Sequence, residues 1–301
     1  WRHDTPLKSI DHHWSQREFA TAGDRTLDVW NPDRSEPMHS HYPWDAAGEG
    51  ITCVRYHPSE TTLLGHTSTE RGVGLTDTRA STGVHKAVLQ MRSNALEWNP
   101  MEPMTFTVAN EDHNCYSFDM RKMDAPSMIH KGHVGAVLSL GYHPGGKEFV
   151  TGSYDKTVRI FGARAPTARD VYHTRRMQRV FTANYTADAK YVLSGSDDTI
   201  VRIWRARASE KIGQLSAREE RSLEYRQALV KKFQDVPEVR RIARGRKVPK
   251  LIRKQTDILH IQKASARRKM ENVVKHSKHV DGVPVVKFKA ERKKTVIKEV
   301  D

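Results

Sequence analysis

From Trp1 to Trp204, apolar and polar residues alternate in short runs closed by turn-forming residues. One unit is entered through the corner Tyr142-His143-Pro144. It runs through Phe149-Val150-Thr151-Gly152-Ser153, turns at Asp155 and leaves through Thr157-Val158-Arg159-Ile160-Phe161. The next unit repeats the plan with Tyr185, Val192-Leu193-Ser194-Gly195-Ser196, Asp198 and Ile200-Val201-Arg202-Ile203-Trp204. Period-two runs bounded by such turns predict strands. After Trp204 the alternation stops and helix signals replace it. Ser216-Ala-Arg-Glu219 reads as a capping box opening a helix through about Phe233, with Leu223, Ala228 and Leu229 on its apolar side. Pro237 suits the first turn of a second, short helix, and Gly245 its end. Pro249 opens a longer third helix with a thin apolar stripe of Leu251, Ile252, Leu259 and Ile261, suited to packing against another surface. Gly282 and Pro284 break the chain before a Lys-rich tail expected to be irregular.

Five segments share the strand plan. The turn residues Asp112, Asp155 and Asp198 are each 43 residues apart, and the strand-ending residues Trp30, Thr76, Phe118, Phe161 and Trp204 are separated by 46, 42, 43 and 43. A sustained period near 43 with about four short strands per unit is the signature of a WD-type β-propeller, because such a blade hides its apolar faces only against neighbouring blades. Small residues such as Thr151-Gly152-Ser153 suit crowded strands nearest the axis, and Asp155 can hydrogen-bond the backbone of its own turn. The repeats are worn. Gly132-His133 opens segment four, whereas Arg175-Arg176 stands there in segment five. Trp44-Asp45 lies between repeats, not at a strand end. In segment two, Arg71-Gly-Val-Gly-Leu replaces the usual turn and strand. The expected fold is an all-β WD40 β-propeller over residues 1–204, followed by a basic, mostly α-helical extension over 205–301. Five blades are present, and the chain opens inside a blade without Met, so about two further blades are expected upstream.

Charge divides the chain at the same point. Residues 1–204 hold 23 Lys+Arg against 24 Asp+Glu, net −1. Residues 205–301 hold 28 against 12, net +16 of the chain's +15 total. Arg240, Arg241, Arg244, Arg246, Lys247, Lys250, Arg253 and Lys254 fall within fifteen residues that contain no acid. Arg267-Arg268-Lys269, Lys275 with Lys278, and Arg292-Lys293-Lys294 continue the theme. Such an arm on a neutral platform seeks a polyanion. The planar Arg fork grips phosphates bidentately and stacks on exposed bases. The eight cations of 240–254 together with Arg267, Arg268 and Lys269 are the candidate RNA contacts. RNA is preferred over duplex DNA because no major-groove helix motif or zinc spacing is present, and DNA or chromatin scaffolding is the reading that a duplex preference would favour.

Catalytic and cofactor chemistry finds no footing. The 16 histidines scatter, and His12-His13 and His39-x-His41 lack carboxylate or cysteine company at metal spacing. There is no phosphate-cradling Gly loop and no nucleophile elbow. Cys53 and Cys115 sit in strand-like segments as expected buried thiols of a reducing compartment. No run of about eighteen apolar residues could span a membrane, and the N-terminus lacks the apolar region of a secretory signal.

Several stretches resemble one known family. Ala208-Ser209-Glu210-Lys211, Arg218-Glu219, Glu224-Tyr225, Arg240-Arg241-Ile242-Ala243-Arg244 and Val248-Pro249-Lys250 are similar to the Sof-like C-terminal domain. That domain follows a seven-bladed WD propeller in a family of nucleolar ribosome-assembly factors. Ile10-Asp11-His12-His13-Trp14, Trp98-Asn99-Pro100-Met101-Glu102, Ala109-Asn110-Glu111-Asp112, Tyr172-His173-Thr174-Arg175-Arg176-Met177-Gln178 and Lys275-His276-Ser277-Lys278 also resemble family segments. Only the tail after Val280 departs from the pattern. The resemblance implies a non-enzymatic nucleolar scaffold of the small-subunit processome. Its expected partners are pre-rRNA, the box C/D small nucleolar RNP and other processome proteins. The propeller would be the docking platform and Arg240–Lys254 would thread among RNA and neighbouring factors. Some members are linked to cullin-RING ligases, whose adaptor recognises Trp-Asp-x-Arg at a strand end. Here Asp77-x-Arg79 follows Thr76, Asp119-x-Arg121 follows Phe118, and Arg207 stands three residues after Trp204. A ubiquitin-ligase substrate receptor is therefore the competing function, with Arg79, Asp119, Arg121 and Arg207 as adaptor contacts.

Overall fold

The computed structural model describes residues 5–43, 50–80, 83–208, 213–245, 248–277, 279–280, 283–284 and 295–300. The period of 43 becomes five antiparallel sheets. The first holds β1 (Ser9–His12), β2 (Phe19–Ala22), β3 (Leu27–Trp30) and β4 (His39–His41). The second holds β5 (Ile51–Tyr56), β6 (Leu63–Ser68), β7 (Gly72–Asp77) and β8 (Gly83–Leu89). The third holds β9 (Ser93–Trp98), β10 (Thr105–Asn110), β11 (Cys115–Asp119) and β12 (Met128–His130). The fourth holds β13 (Val137–Tyr142), β14 (Glu148–Ser153), β15 (Val158–Gly162) and β16 (Ala168–Tyr172). The fifth has three strands, β17 (Val180–Tyr185), β18 (Tyr191–Ser196) and β19 (Val201–Arg205). The first strands β1, β5, β9, β13 and β17 are successive neighbours, so the sheets stack as blades on an inner row.

Each apolar cluster lies between two consecutive blades, as radial stacking requires. Leu27, Val29, Ile51 and Val54 join the first two sheets. Leu75, Leu89, Leu96 and Phe106 join the second and third, Cys115, Val137 and Phe149 the third and fourth, and Ile160, Met177 and Val180 the fourth and fifth. The periodic strand-ending residues face second-strand partners in register: Phe19 with Trp30, Phe106 with Phe118, Phe149 with Phe161. Those rings stack at 6.2, 5.7 and 5.5 Å. Small residues are needed one strand further from the axis than expected. A Cβ on Gly152 of β14 would meet Val180 Cγ1 of the next blade's inner strand at 2.8 Å. One face of β17–β19 leaves Phe181, Val201 and Ile203 51, 67 and 69 % exposed.

The turn aspartates work as their spacing suggests. Asp112 Oδ1 accepts from the Asn114 amide and Asp155 Oδ1 from the Thr157 amide, each at 3.0 Å. The intervening His113 and Lys156 take positive φ, as does Thr199 after Asp198. Segment two is less worn than its sequence implies. Arg71 also has positive φ, Ser68 Oγ accepts from the Gly72 amide at 3.0 Å, and β7 forms. Segment four completes a buried network. His133 bridges Asp155 Oδ2 at 2.9 Å and Thr151 Oγ1 at 2.6 Å, and Asp155 Oδ2 also accepts from the Val134 amide at 3.1 Å. Corner histidines are structural latches. His13 and His57 each accept backbone amides at Nδ1, which leaves Nε2–H to donate to the next blade, at Thr61 O (3.1 Å) and Pro103 O (3.0 Å). Among the described residues no His, Cys, Asp and Glu group could hold a metal ion, and both cysteines are buried free thiols.

The tail corrects the expectation of irregularity. After a short ladder of β20 (His279–Val280) with β21 (Val283–Pro284), strand β22 (Val296–Val300) adds antiparallel to the outer edge of β8 and makes the second blade five-stranded. Val296 opposes Leu89 and is buried in the second blade's core. This strand covers an edge that would otherwise offer unpaired backbone groups.

Burial lowers the pKa of His41, His57, His130 and His133, and that of His66 to about 3. The unfolded chain therefore takes up protons below about pH 6.5 that the folded chain refuses, and stability falls as pH falls through that value. At about pH 5.5 His66 alone accounts for on the order of 1 kcal/mol. Urea midpoints should drop between about pH 7.5 and 5.5, and His66→Gln should flatten the slope. A midpoint independent of pH would contradict the burial of these rings.

Candidate nucleic-acid interface

The helical extension forms where local signals place it. α1 (Ala217–Lys232) starts at Ser216, whose hydroxyl accepts from the Glu219 amide while the Glu219 carboxylate returns to the Ser216 amide. Phe233 is its C-cap. α2 (Pro237–Arg244) begins with Pro and ends at Gly245, and α3 (Lys250–His276) follows Pro249. None of these helices builds a core. α1 buries no residue, and α3 buries Ile252 alone. Of the expected stripe, Leu251 and Ile261 are 64 and 66 % exposed.

Ile252 sits where the helix meets the stacked sheets. Its neighbours Leu251 and Gln255 line a cleft with Glu111, Val134, Gly135, Tyr154, Lys156 and Arg179. At 3.6 residues per turn, Lys250, Lys254, Arg268 and Lys275 fall within about 60° of one another on the side opposite Ile252. All four are exposed, as are Arg253, Arg267 and Lys269. Ile252 is thus seated and the cationic side of α3 turned out, along a helix about 40 Å long. Arg267 makes one exposed i,i+4 contact with Glu271 at 3.3 Å, worth little in solvent. Arg240 and Arg241 are exposed on α2, and Arg240 reaches Asp235 at 3.4 Å. Arg244 lies in α2. Arg246, Lys247, Lys278 and Arg292-Lys293-Lys294 lie outside the described residues.

The Asp-x-Arg sites are two copies of one geometry. Arg79 Nε and Nη2 reach Asp77 Oδ1 and Oδ2 at 3.1 and 2.8 Å, and its amide donates to Oδ1 at 3.0 Å. Arg121 repeats this on Asp119 at 3.0, 2.7 and 3.0 Å. The Arg hydrogen bonds hold both carboxyls below their ordinary pKa. The two Arg side chains remain 75 and 70 % exposed, so each Asp aims an Arg outward. Arg207 is exposed but has no Asp two residues earlier, so the fork is not reproduced there.

Topology separates the two candidates. Strands alternate in direction, so second-to-third turns and blade-to-blade connections share one rim, and third-to-fourth turns share the other. Glu111, Tyr154 and Lys156 belong to second-to-third turns, and Val134 and Arg179 to blade connections. The α3 cleft is therefore on the first rim. Arg79 and Arg121 follow the third strands β7 and β11 and stand on the opposite rim. Sequence reading missed that Lys156, Arg175, Arg176 and Arg179 share the α3 rim. Their spacing gives only scattered cations, and the positions at which they occur in the repeat were the available signal.

Comparison with known proteins divides the chain where the sheets give way to helices. Residues 206–296 match the Sof1-like domain, and residues 125–162 and 172–205 match the WD domain, G-beta repeat. Zebrafish (Danio rerio) DDB1- and CUL4-associated factor 13 is 45 % identical over 292 residues, which cover 97 % of this chain and 64 % of that protein. The human protein of the same name is 45 % identical over 293 residues, covering 97 and 64 %. Protein SOF1 of Saccharomyces cerevisiae is 38 % identical over 294 residues, covering 98 and 58 %. The chain spans less than two thirds of the length of these curated relatives.

Proposed function

Because this chain belongs to the Sof1-like family of WD-repeat proteins, we propose that it is a non-enzymatic scaffold of small-subunit ribosome biogenesis. In this role the blades dock processome proteins and the arm holds pre-rRNA and the box C/D small nucleolar RNP in the nucleolus. One observation carries the reading: α3 seats Ile252 against the propeller and turns Lys250, Lys254, Arg268 and Lys275 to solvent. A fixed row of cations on a rigid helix suits a phosphate backbone. In-cell RNA–protein crosslinking at nucleotide resolution tests it. Crosslinks to pre-rRNA or a box C/D small nucleolar RNA should fall on peptides within 240–254 and 267–269. Crosslinks confined to other RNA classes would overturn the proposal.

The forks at Arg79 and Arg121 favour a second role, since two relatives are named for association with DDB1 and CUL4. On the rim opposite α3, adaptor docking and RNA contact are sterically compatible. The variant with Arg79, Arg121 and Arg207 changed to Ala should lose capture of purified DDB1 and keep its RNA affinity. Its urea midpoint should stay at the wild-type value, because the side chains are exposed. Equal capture by wild type and variant would remove the second role.

A further inference from the structure

We propose that the α3 rim of the fourth and fifth blades is itself a binding site for unpaired RNA, holding one base in the cleft beside α3 and the flanking phosphates on Arg175, Arg176 and Lys156. The inference rests on the RNA-scaffold reading above and adds a site on the blades beside the arm.

The cations stand on a rigid base. The connection from β16 to β17 is pinned by Met177, which is 1 % exposed within the cluster between the fourth and fifth blades. It is closed by the Met177 amide on Thr174 O at 3.3 Å and tied to β18 by the Gln178 amide on Ser196 Oγ at 3.1 Å. Lys156 of the neighbouring turn donates to Gln178 Oε1 at 2.6 Å, which joins the two loops. Arg175, Arg176 and Arg179 are exposed around this base. Nearby acids are mostly engaged. Asp155 is buried against His133 and Asp198 forks with Arg202. Exposed Asp197 and half-buried Glu111, which lines the cleft 3.7 Å from Arg92, are the remaining carboxylates beside them. Four cations against two such acids, on a preorganised surface, suit phosphates better than a neutral partner.

The base site is the second observation. The Arg179 guanidinium lies over the Tyr154 ring, 4.3 Å from its centroid, and Tyr154 is 42 % exposed. A guanidinium held over an aromatic ring beside a cleft is the kind of platform on which unpaired bases stack. The cleft beyond it measures about 630 Å³ and is lined on its apolar side by Val134, Ala136, Leu138 and Leu251. A single nucleobase fits within it. Gln255 supplies an amide at the wall, and Lys254 precedes it on α3, so the strand would continue directly onto the cationic side of the helix. A duplex would keep its bases stacked internally and leave the cleft unused.

The test uses the full chain and an RNA oligouridylate of about 12 nucleotides with one internal 2-aminopurine. The variant with Lys156, Arg175 and Arg176 changed to Gln should bind it about 10- to 100-fold more weakly, with the salt slope reduced by about 2. Tyr154→Leu should weaken binding about 5- to 10-fold and abolish the 2-aminopurine response, while leaving affinity for inorganic polyphosphate unchanged. An unchanged slope in the triple variant, with a reduced one when Lys250, Arg253 and Lys254 are changed to Gln, would overturn this site and leave the arm's role intact. No binding by the wild-type chain would remove the RNA-scaffold reading together with it. A greater loss for polyglutamate than for RNA would assign the surface to an acidic protein instead.

Discussion

Changing Arg240, Arg241, Arg244 and Arg246 to Glu should lower RNA affinity by about three orders of magnitude or more at physiological salt. Each replacement removes a cation and adds an anion inside the fifteen residues that hold eight cations and no acid. Single-stranded RNA releases roughly 0.7 counterion per phosphate neutralised, so four lost contacts should flatten the logarithmic salt slope by about 3. The fold should survive. Arg240 and Arg241 are exposed, α1 and α2 contribute no buried side chain among the described residues, and Arg240 makes one exposed contact with Asp235. Filter binding between about 50 and 200 mM salt reads both quantities. A loss of affinity with an unchanged slope would mean that the four arginines act through shape or protein contacts. An unchanged affinity would remove the arm from the RNA interface.

The second large effect is on stability. Asp155→Ala should cost about 3–5 kcal/mol, because it strips partners from groups that cannot reach water. His133 and Asp155 side chains are each 1 % exposed. The Val134 amide, the Thr157 amide and the Thr157 hydroxyl all donate to the same carboxylate. Arg159, also buried, lies 3.9 Å away. Those partners together hold the Asp155 carboxyl below its ordinary pKa against the opposing effect of burial, so it remains an anion as the protein folds. Asp112→Ala should cost only about 1 kcal/mol, because its turn is half-buried and its partners are within four residues. Urea unfolding of the two variants side by side measures the contrast. Equal losses would show that the turn, and not the buried network, is what matters at Asp155.

That contrast shows how far the repeat could be read. Asp112 and Asp155 occupy the same position of the same period, and their local hydrogen bonds are alike because an Asx turn involves neighbouring residues alone. Whether a buried histidine completes the network depends on the chain 22 residues earlier, which supplies Gly132-His133 in segment four. Segment two shows the reverse. Its sequence departs from the plan, yet Arg71 adopts the same turn and β7 pairs with β6, because Val73 and Leu75 still bury apolar side chains against the third blade.

The helix ends at Phe233, Gly245 and Pro249, the blade period and the forks at Arg79 and Arg121 were legible because each rests on dihedral preferences or hydrogen bonds within a few residues. The sequence by itself therefore determined the stacked blades, the three helices and the segregation of positive charge beyond Trp204. Tertiary structure alone decided three things. It chose Ile252 over Leu251 and Ile261 as the residue that seats α3, it laid β22 on β8, and it brought Lys156, Arg175, Arg176 and Arg179 onto one rim with the cleft. Contacts between distant parts of a chain depend on which surfaces the stacked blades leave free. No local periodicity carries that information, because a strand or a cation has the same short-range signature wherever it docks.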